Sequence, residues 1–168
     1  MPLTDPVSAL TTAFERIAAT RMAGLPMNNP ALRVAAVGFR PWRDSHLVGV
    51  LVTPWAINLM LLGDKTSRDL YLAADCRQAW DFPSGHYDFM GGDEPECGAF
   101  QFCSLFSPVF EFPDQATAEA TARAAMDALF ASVESDNREA ARLAGSSVPQ
   151  VPTSRRGFLR GIFSGLKA

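Results

Sequence analysis

Metal-binding and redox side chains are in short supply in this chain. Its 168 residues include 3 cysteines and 2 histidines. Cys76, Cys97 and Cys103 contain no Cys-x-x-Cys pair, and His46 and His86 stand far apart in sequence. That excludes a zinc or rubredoxin-type iron site, and an odd cysteine count does not make a disulfide framework. The reading is a chain with no metal and no bound cofactor, in a reducing cytoplasm. Long apolar runs are missing too. The longest charge-free one, Leu47 to Gly63, spans 17 residues, is interrupted by Pro54 and Asn58, and falls short of the roughly 20 needed to cross a bilayer. The opening Met1-Pro-Leu-Thr-Asp5 has no basic region before an apolar stretch, so no N-terminal export signal is expected. Positive charge is in deficit: 15 Lys and Arg against 18 Asp and Glu, a net charge of −3. A general nucleic-acid binder is excluded on that balance, and stable membrane insertion is not expected.

What is present is ordinary globular composition, 48% hydrophobic and 20% charged. One domain over residues 1–144 is expected, followed by a linker and basic tail over 145–168. Asp5-Pro6 reads as an N-cap and first helical residue. Val7, Leu10, Phe14 and Ile17 follow at helical spacing, and Gly24 and Pro26 are expected to end the helix. Arg33–Trp42 and His46–Thr53 flank a three-residue turn and read as a hairpin, with a third strand over Ala56–Leu62. Leu70–Leu72 reads as a short strand or a loop. Two more strands are expected near His86–Met90 and Ala99–Leu105, joined by a turn at Gly91-Gly-Asp-Glu-Pro95. Asp114 caps a second, alanine-rich helix expected to run through Val133. The expectation is an α+β, two-layer domain. A mostly antiparallel sheet of about five strands is packed by an N-terminal and a C-terminal helix, with a flexible tail.

Catalytic constellations are weak. Cys103-Ser104 with His86 could in principle pair a nucleophile and a base, but no Gly-x-Ser-x-Gly motif accompanies them. Cys103 fits better as a small buried strand residue. No catalytic residue is assigned. Charge is organised more sharply. Between Arg77 and Arg123 there is no lysine or arginine, yet eight acids occur, Asp81, Asp88, Asp93, Glu94 and Glu96 among them. Nine of the seventeen aromatics share that stretch. A packed sheet with solvated acidic turns and an acidic, apolar surface for an arginine-bearing peptide explain the block equally well. After Glu139 no acid occurs, and Ser154-Arg155-Arg156-Gly157-Phe158-Leu159-Arg160 closely follows a twin-arginine export consensus. Only eight residues follow it, too few for the apolar stretch an export signal needs. The same residues also fit a short amphipathic helix.

Several of these segments together resemble a known family. Gly49-Val-Leu-Val-Thr-Pro-Trp55, Asn58-Leu-Met-Leu61, Trp80 with Pro83-Ser-Gly85, and Cys103-Ser-Leu-Phe-Ser-Pro108 are similar to the HybE/HupJ family of accessory chaperones for nickel–iron hydrogenase assembly. Asn29-Pro30, Val37-Gly-Phe39 and the C-terminal twin arginine fit as well. The resemblance implies a cytoplasmic, non-enzymatic maturation factor. Its partners would be the hydrogenase small-subunit precursor with its twin-arginine signal, and beside it the large subunit and other maturation factors. The expected contact set is Trp55, Asn58, Trp80, Phe82, Cys103, Ser104, Phe106 and Pro108, with Asp81 and Asp88 supplying charge. The competing reading is a protein- or membrane-surface module acting through the basic tail, Ser154, Arg155, Arg156, Phe158, Leu159 and Arg160.

Overall fold

The computed structural model describes residues 5–43, 45–64 and 68–132. Helix α1 (Pro6–Ala19) starts as the sequence dictates: the Asp5 carboxylate accepts the Ser8 N–H, and Pro6 takes a position where no N–H is needed. It ends at Thr20, before Gly24, where the Thr20 hydroxyl donates back to the Arg16 carbonyl at 2.6 Å. Strands β1 (Ala35–Trp42), β2 (His46–Val52) and β3 (Ile57–Leu62) form an antiparallel meander.

A strand that the sequence reading missed follows, β4 (Arg77–Phe82), paired with β5 (Gly85–Glu94), which in turn pairs with β6 (Gly98–Phe106). The sheet therefore has six strands, in the order β1-β2-β3-β6-β5-β4, all antiparallel. In β4 the alternation is present but disguised. Gln78, Trp80 and Phe82 turn inward, while Arg77, Ala79 and Asp81 stay exposed. Leu70–Leu72 is a loop. Gly91-Gly92, expected to turn, lies inside β5. A Cβ on Gly91 would come within 2.5 Å of the Leu72 carbonyl oxygen, so this glycine admits the crossing loop.

Helix α2 (Gln115–Phe130) is capped by Asp114, whose carboxylate accepts the Thr117 N–H at 2.7 Å. That bond holds the Asp114 carboxyl below its ordinary range. Val133 and the 145–168 linker and tail lie outside the described residues.

The α+β class with a helix at each end of the sheet sequence is as expected. The layering is richer than two layers, because the strands' alternation sends α1 and α2 to opposite faces. Val48, Val50, Leu59, Leu105 and Phe89 face α2, with Ala118, Ala122 and Leu129. Leu51, Met60, Leu62 and Phe100 face α1, with Leu10, Ala13 and Phe14. The sheet also curls strongly toward α2. In a flat sheet its two edge strands would lie about 24 Å apart. Instead Trp42 of β1 stacks on Phe82 of β4 with ring centroids 4.4 Å apart, and meets Trp80 edge-on at 5.4 Å.

Candidate functional site

The curl leaves the α1-side face incompletely covered, because α1 is the one helix lying there among the described residues. Between α1 and the sheet opens a cleft of about 290 Å³. Phe14, Trp55, Phe100 and Phe102 wall it. Phe14 stacks on Trp55, with centroids 6.4 Å apart, and meets Phe100 edge-on at 5.8 Å.

The polar side of the cleft carries Asp93, Glu94 and Arg21. Glu94 is buried, and its carboxylate accepts from Arg16 at 2.8 Å and from Arg21. Arg16 donates also to Glu96 at 2.5 Å. These two carboxylates, Glu96 foremost, push the Arg16 guanidinium further above its ordinary range. Close by, Cys97 is buried. Desolvation, with added repulsion from Glu94, Glu96 and Asp93, pushes its thiol up to about 11. A thiol so held is protonated at neutral pH and is no nucleophile.

Asn58 also lines the cleft. It is 8% exposed, and its Oδ1 meets no hydrogen-bond partner among the described residues. The β3–β6 ladder is irregular at this point: Ile57 pairs with Phe106 and Asn58 with Ser104, so Leu105 is an extra residue in the strand. Such bulges re-aim side chains beside sites of function.

The structure divides the expected contact set between two faces. Trp55 and Asn58 line the cleft, and Ser104 lies opposite Asn58 in the ladder. Asp81 and Asp88 sit exposed further out on the same face, with His86 paired to Asp81. Pro108 is exposed after a cis Ser107–Pro108 bond. Its loop is drawn toward the Trp55 turn by buried Asn29, which donates through Nδ2 to the Val109 and Phe112 carbonyls and through its N–H to that of Pro54.

Trp80, Phe82, Cys103 and Phe106 belong to the opposite, α2-side core. Phe82, Cys103 and Phe106 are buried there. Trp80 is half-buried, and its indole N–H donates to Gln101 Oε1 at 2.7 Å. The tail residues Ser154 to Arg160 lie outside the described residues.

Among the described residues no group of histidine, cysteine and carboxylate side chains could hold a metal ion, and no helix is long and apolar enough to cross a membrane. Over residues 5–161 the sequence matches the family model for NiFe-hydrogenase assembly chaperones of the HybE type. The chain belongs to the HybE family. Its role is accordingly that of a hydrogenase assembly chaperone and not of an enzyme. Protein HoxT of Cupriavidus necator is 40% identical, with 94% of this chain and 89% of that protein covered. Hydrogenase expression/formation protein HupJ of Bradyrhizobium diazoefficiens is 36% identical, over 90% of this chain and 85% of the other. The solution structure of HybE from Escherichia coli shares the fold, with a TM-score of 0.56 over 76% of this chain and 77% of that one, at 21% identity.

Within this HybE-family chain, sequence reasoning overlooked the part played by α1. Phe14 was legible as a core position, and the acidic block was legible as a block. That Arg16 and Arg21 reach Glu94 across some eighty residues of sequence left no local signal.

Proposed function

We propose that this chain acts in hydrogenase assembly by holding the small-subunit precursor, with its twin-arginine signal seated at the α1-side cleft. The observation that carries this reading is an aromatic-walled cleft bordered by the buried carboxylate of Glu94, on the face of the sheet that α1 leaves partly open. An arginine-bearing segment with adjacent apolar side chains matches both halves of that surface. Asp81 and Asp88, further out on the same face, extend the field that would attract it. While the signal is held it is hidden from the export machinery, so export waits until assembly is complete. The large subunit and further maturation factors would join through the same complex, in the cytoplasm.

Co-purification tests this directly. The tagged full-length chain should retain the small-subunit precursor from its host. It should lose that precursor when the signal's arginine pair is replaced by glutamine. Retention of a precursor lacking its signal altogether would refute signal recognition. Binding to anionic vesicles that is lost on deleting residues 154–168, with no precursor retained, would instead establish the tail as the working part.

A further inference from the structure

We propose that Asn58 is the anchoring acceptor of the cleft: its Oδ1 takes an N–H of a bound peptide segment whose apolar side chain enters between Phe14, Trp55, Phe100 and Phe102. This assignment rests on the reading of the cleft as a client site and makes it specific to one atom.

A buried amide oxygen with no partner costs free energy for as long as it stays unpaired. Asn58 is the second residue of a strand whose other residues are all apolar, Ile57, Leu59, Met60, Leu61 and Leu62. Leucine or valine would serve the sheet better at that position. The side chain does not complete the polar network around Glu94, whose carboxylate is taken up by Arg16 and Arg21. It faces a cavity walled by aromatic rings and roomy enough for a side chain. The irregular register beside it fixes its direction.

The chemistry of the occupant follows. It must bring a hydrogen-bond donor for Oδ1, an apolar group for the rings, and a cation tolerated beside Glu94. A peptide segment holding an arginine next to a phenylalanine or leucine brings all three. Its guanidinium would take over the bond that Arg21, 60% exposed, makes to Glu94. Arg16 would stay where it is, bridging Glu94 and Glu96.

The probe is a fluorescein-labelled peptide, Ser-Arg-Arg-Gly-Phe-Leu-Lys, titrated with the full-length chain. Asn58→Ala removes the acceptor and leaves the cavity open. It should weaken binding about tenfold or more, while thermal stability stays level or rises by about 2 °C. Asn58→Thr, which restores an acceptor on a strand-favouring side chain, should recover part of the affinity. Replacing Phe-Leu of the peptide by Ala-Ala should weaken binding to wild type and narrow the gap between wild type and Asn58→Ala. Equal affinity of wild type and Asn58→Ala would overturn the assignment and leave Asn58 as a buried strand residue with no part in binding. A drop in stability of Asn58→Ala that accounts for its loss of binding, with no recovery of affinity in Asn58→Thr, would overturn it as well. If the precursor still co-purifies with Asn58→Ala as it does with wild type, the client reading stands and the Asn58 assignment alone falls. If wild type binds neither peptide nor precursor, both fall together.

Discussion

Under α2 the aromatic side chains of the described residues lie against one another, although the buried Nδ1 of His46, beside Trp80, has no hydrogen-bond partner among those residues. Phe82 touches Trp42, Tyr87, Phe89 and Phe130, and even the polar Gln101 has both ends of its amide engaged. Under α1 the aromatic rings stop short of closing. They leave a cleft, an unpartnered amide oxygen and carboxylates held by Arg16 and the largely exposed Arg21. Both faces are built from the same strands, so the difference is not one of secondary structure. It lies in how far packing has been carried. The α2 face is packed ring on ring, and the α1 face keeps a cleft open between the helix and the sheet.

Substitutions on the two faces should therefore fail in different ways. The largest effect belongs to the closed face. Phe89 is fully buried in its core, and Phe89→Ala should cost about 3–5 kcal/mol in chemical denaturation, enough to leave little folded protein. Trp80→Ala follows, at about 2–3 kcal/mol, because it opens the junction of the sheet edges and strands Gln101 Oε1. Its counterpart across the sheet is half-buried Phe102. Phe102→Ala should cost about 1 kcal/mol or less in stability yet abolish most peptide binding. If Trp80→Ala weakens binding while leaving stability untouched, the division between the faces is wrong. Smaller again, lysine in place of both Asp81 and Asp88 should slow association about three- to tenfold and flatten its salt dependence. Stopped-flow measurement at two ionic strengths would show it.

The smallest expected effect is a pH dependence at the cleft. The Cys97 thiol titrates near 11 in the fold and near its ordinary value in the unfolded chain. Above roughly pH 9 the unfolded chain sheds this proton while the fold keeps it, so stability is full below that pH and declines toward 11. Comparing urea midpoints of wild type and Cys97→Ala at pH 8 and pH 10.5 should isolate a contribution of about 1 kcal/mol or less, since the group is only partly screened from water.

The sequence made the closed face more legible than the open one. Asp5 and Asp114 announced their helices by capping chemistry, and β1 to β3 announced themselves by composition, because these signals act over a few residues. Strand β4 hid because half of its alternation is carried by Gln78 and Trp80 against Arg77 and Asp81, a pattern that also suits a loop. The contact set mixed both faces for a related reason. Aromatic and acidic residues crowd the stretch from Trp80 to Phe112, but period-two alternation sends neighbours in opposite directions. Phe102 and Cys103 are adjacent in the chain and lie on different sides of the sheet. Only the register, with the irregularity at Asn58, decides which of them a partner could reach.

The meeting of Trp42 with Trp80 and Phe82 has a consequence for the company such a protein keeps. An assembly factor works among incompletely folded chains, for which an open sheet edge is a template for misplaced pairing. Here the first and last strands of the sheet turn their edges toward each other. Aromatic rings and a bond from the Arg43 guanidinium to the Asp81 carbonyl hold them there. Each edge thus shields the other, without closing a barrel and without an added strand. Loosening that junction should make the protein prone to adhere to unfolded chains, and light scattering during co-incubation with an unfolded hydrogenase subunit would reveal it before any loss of helix signal.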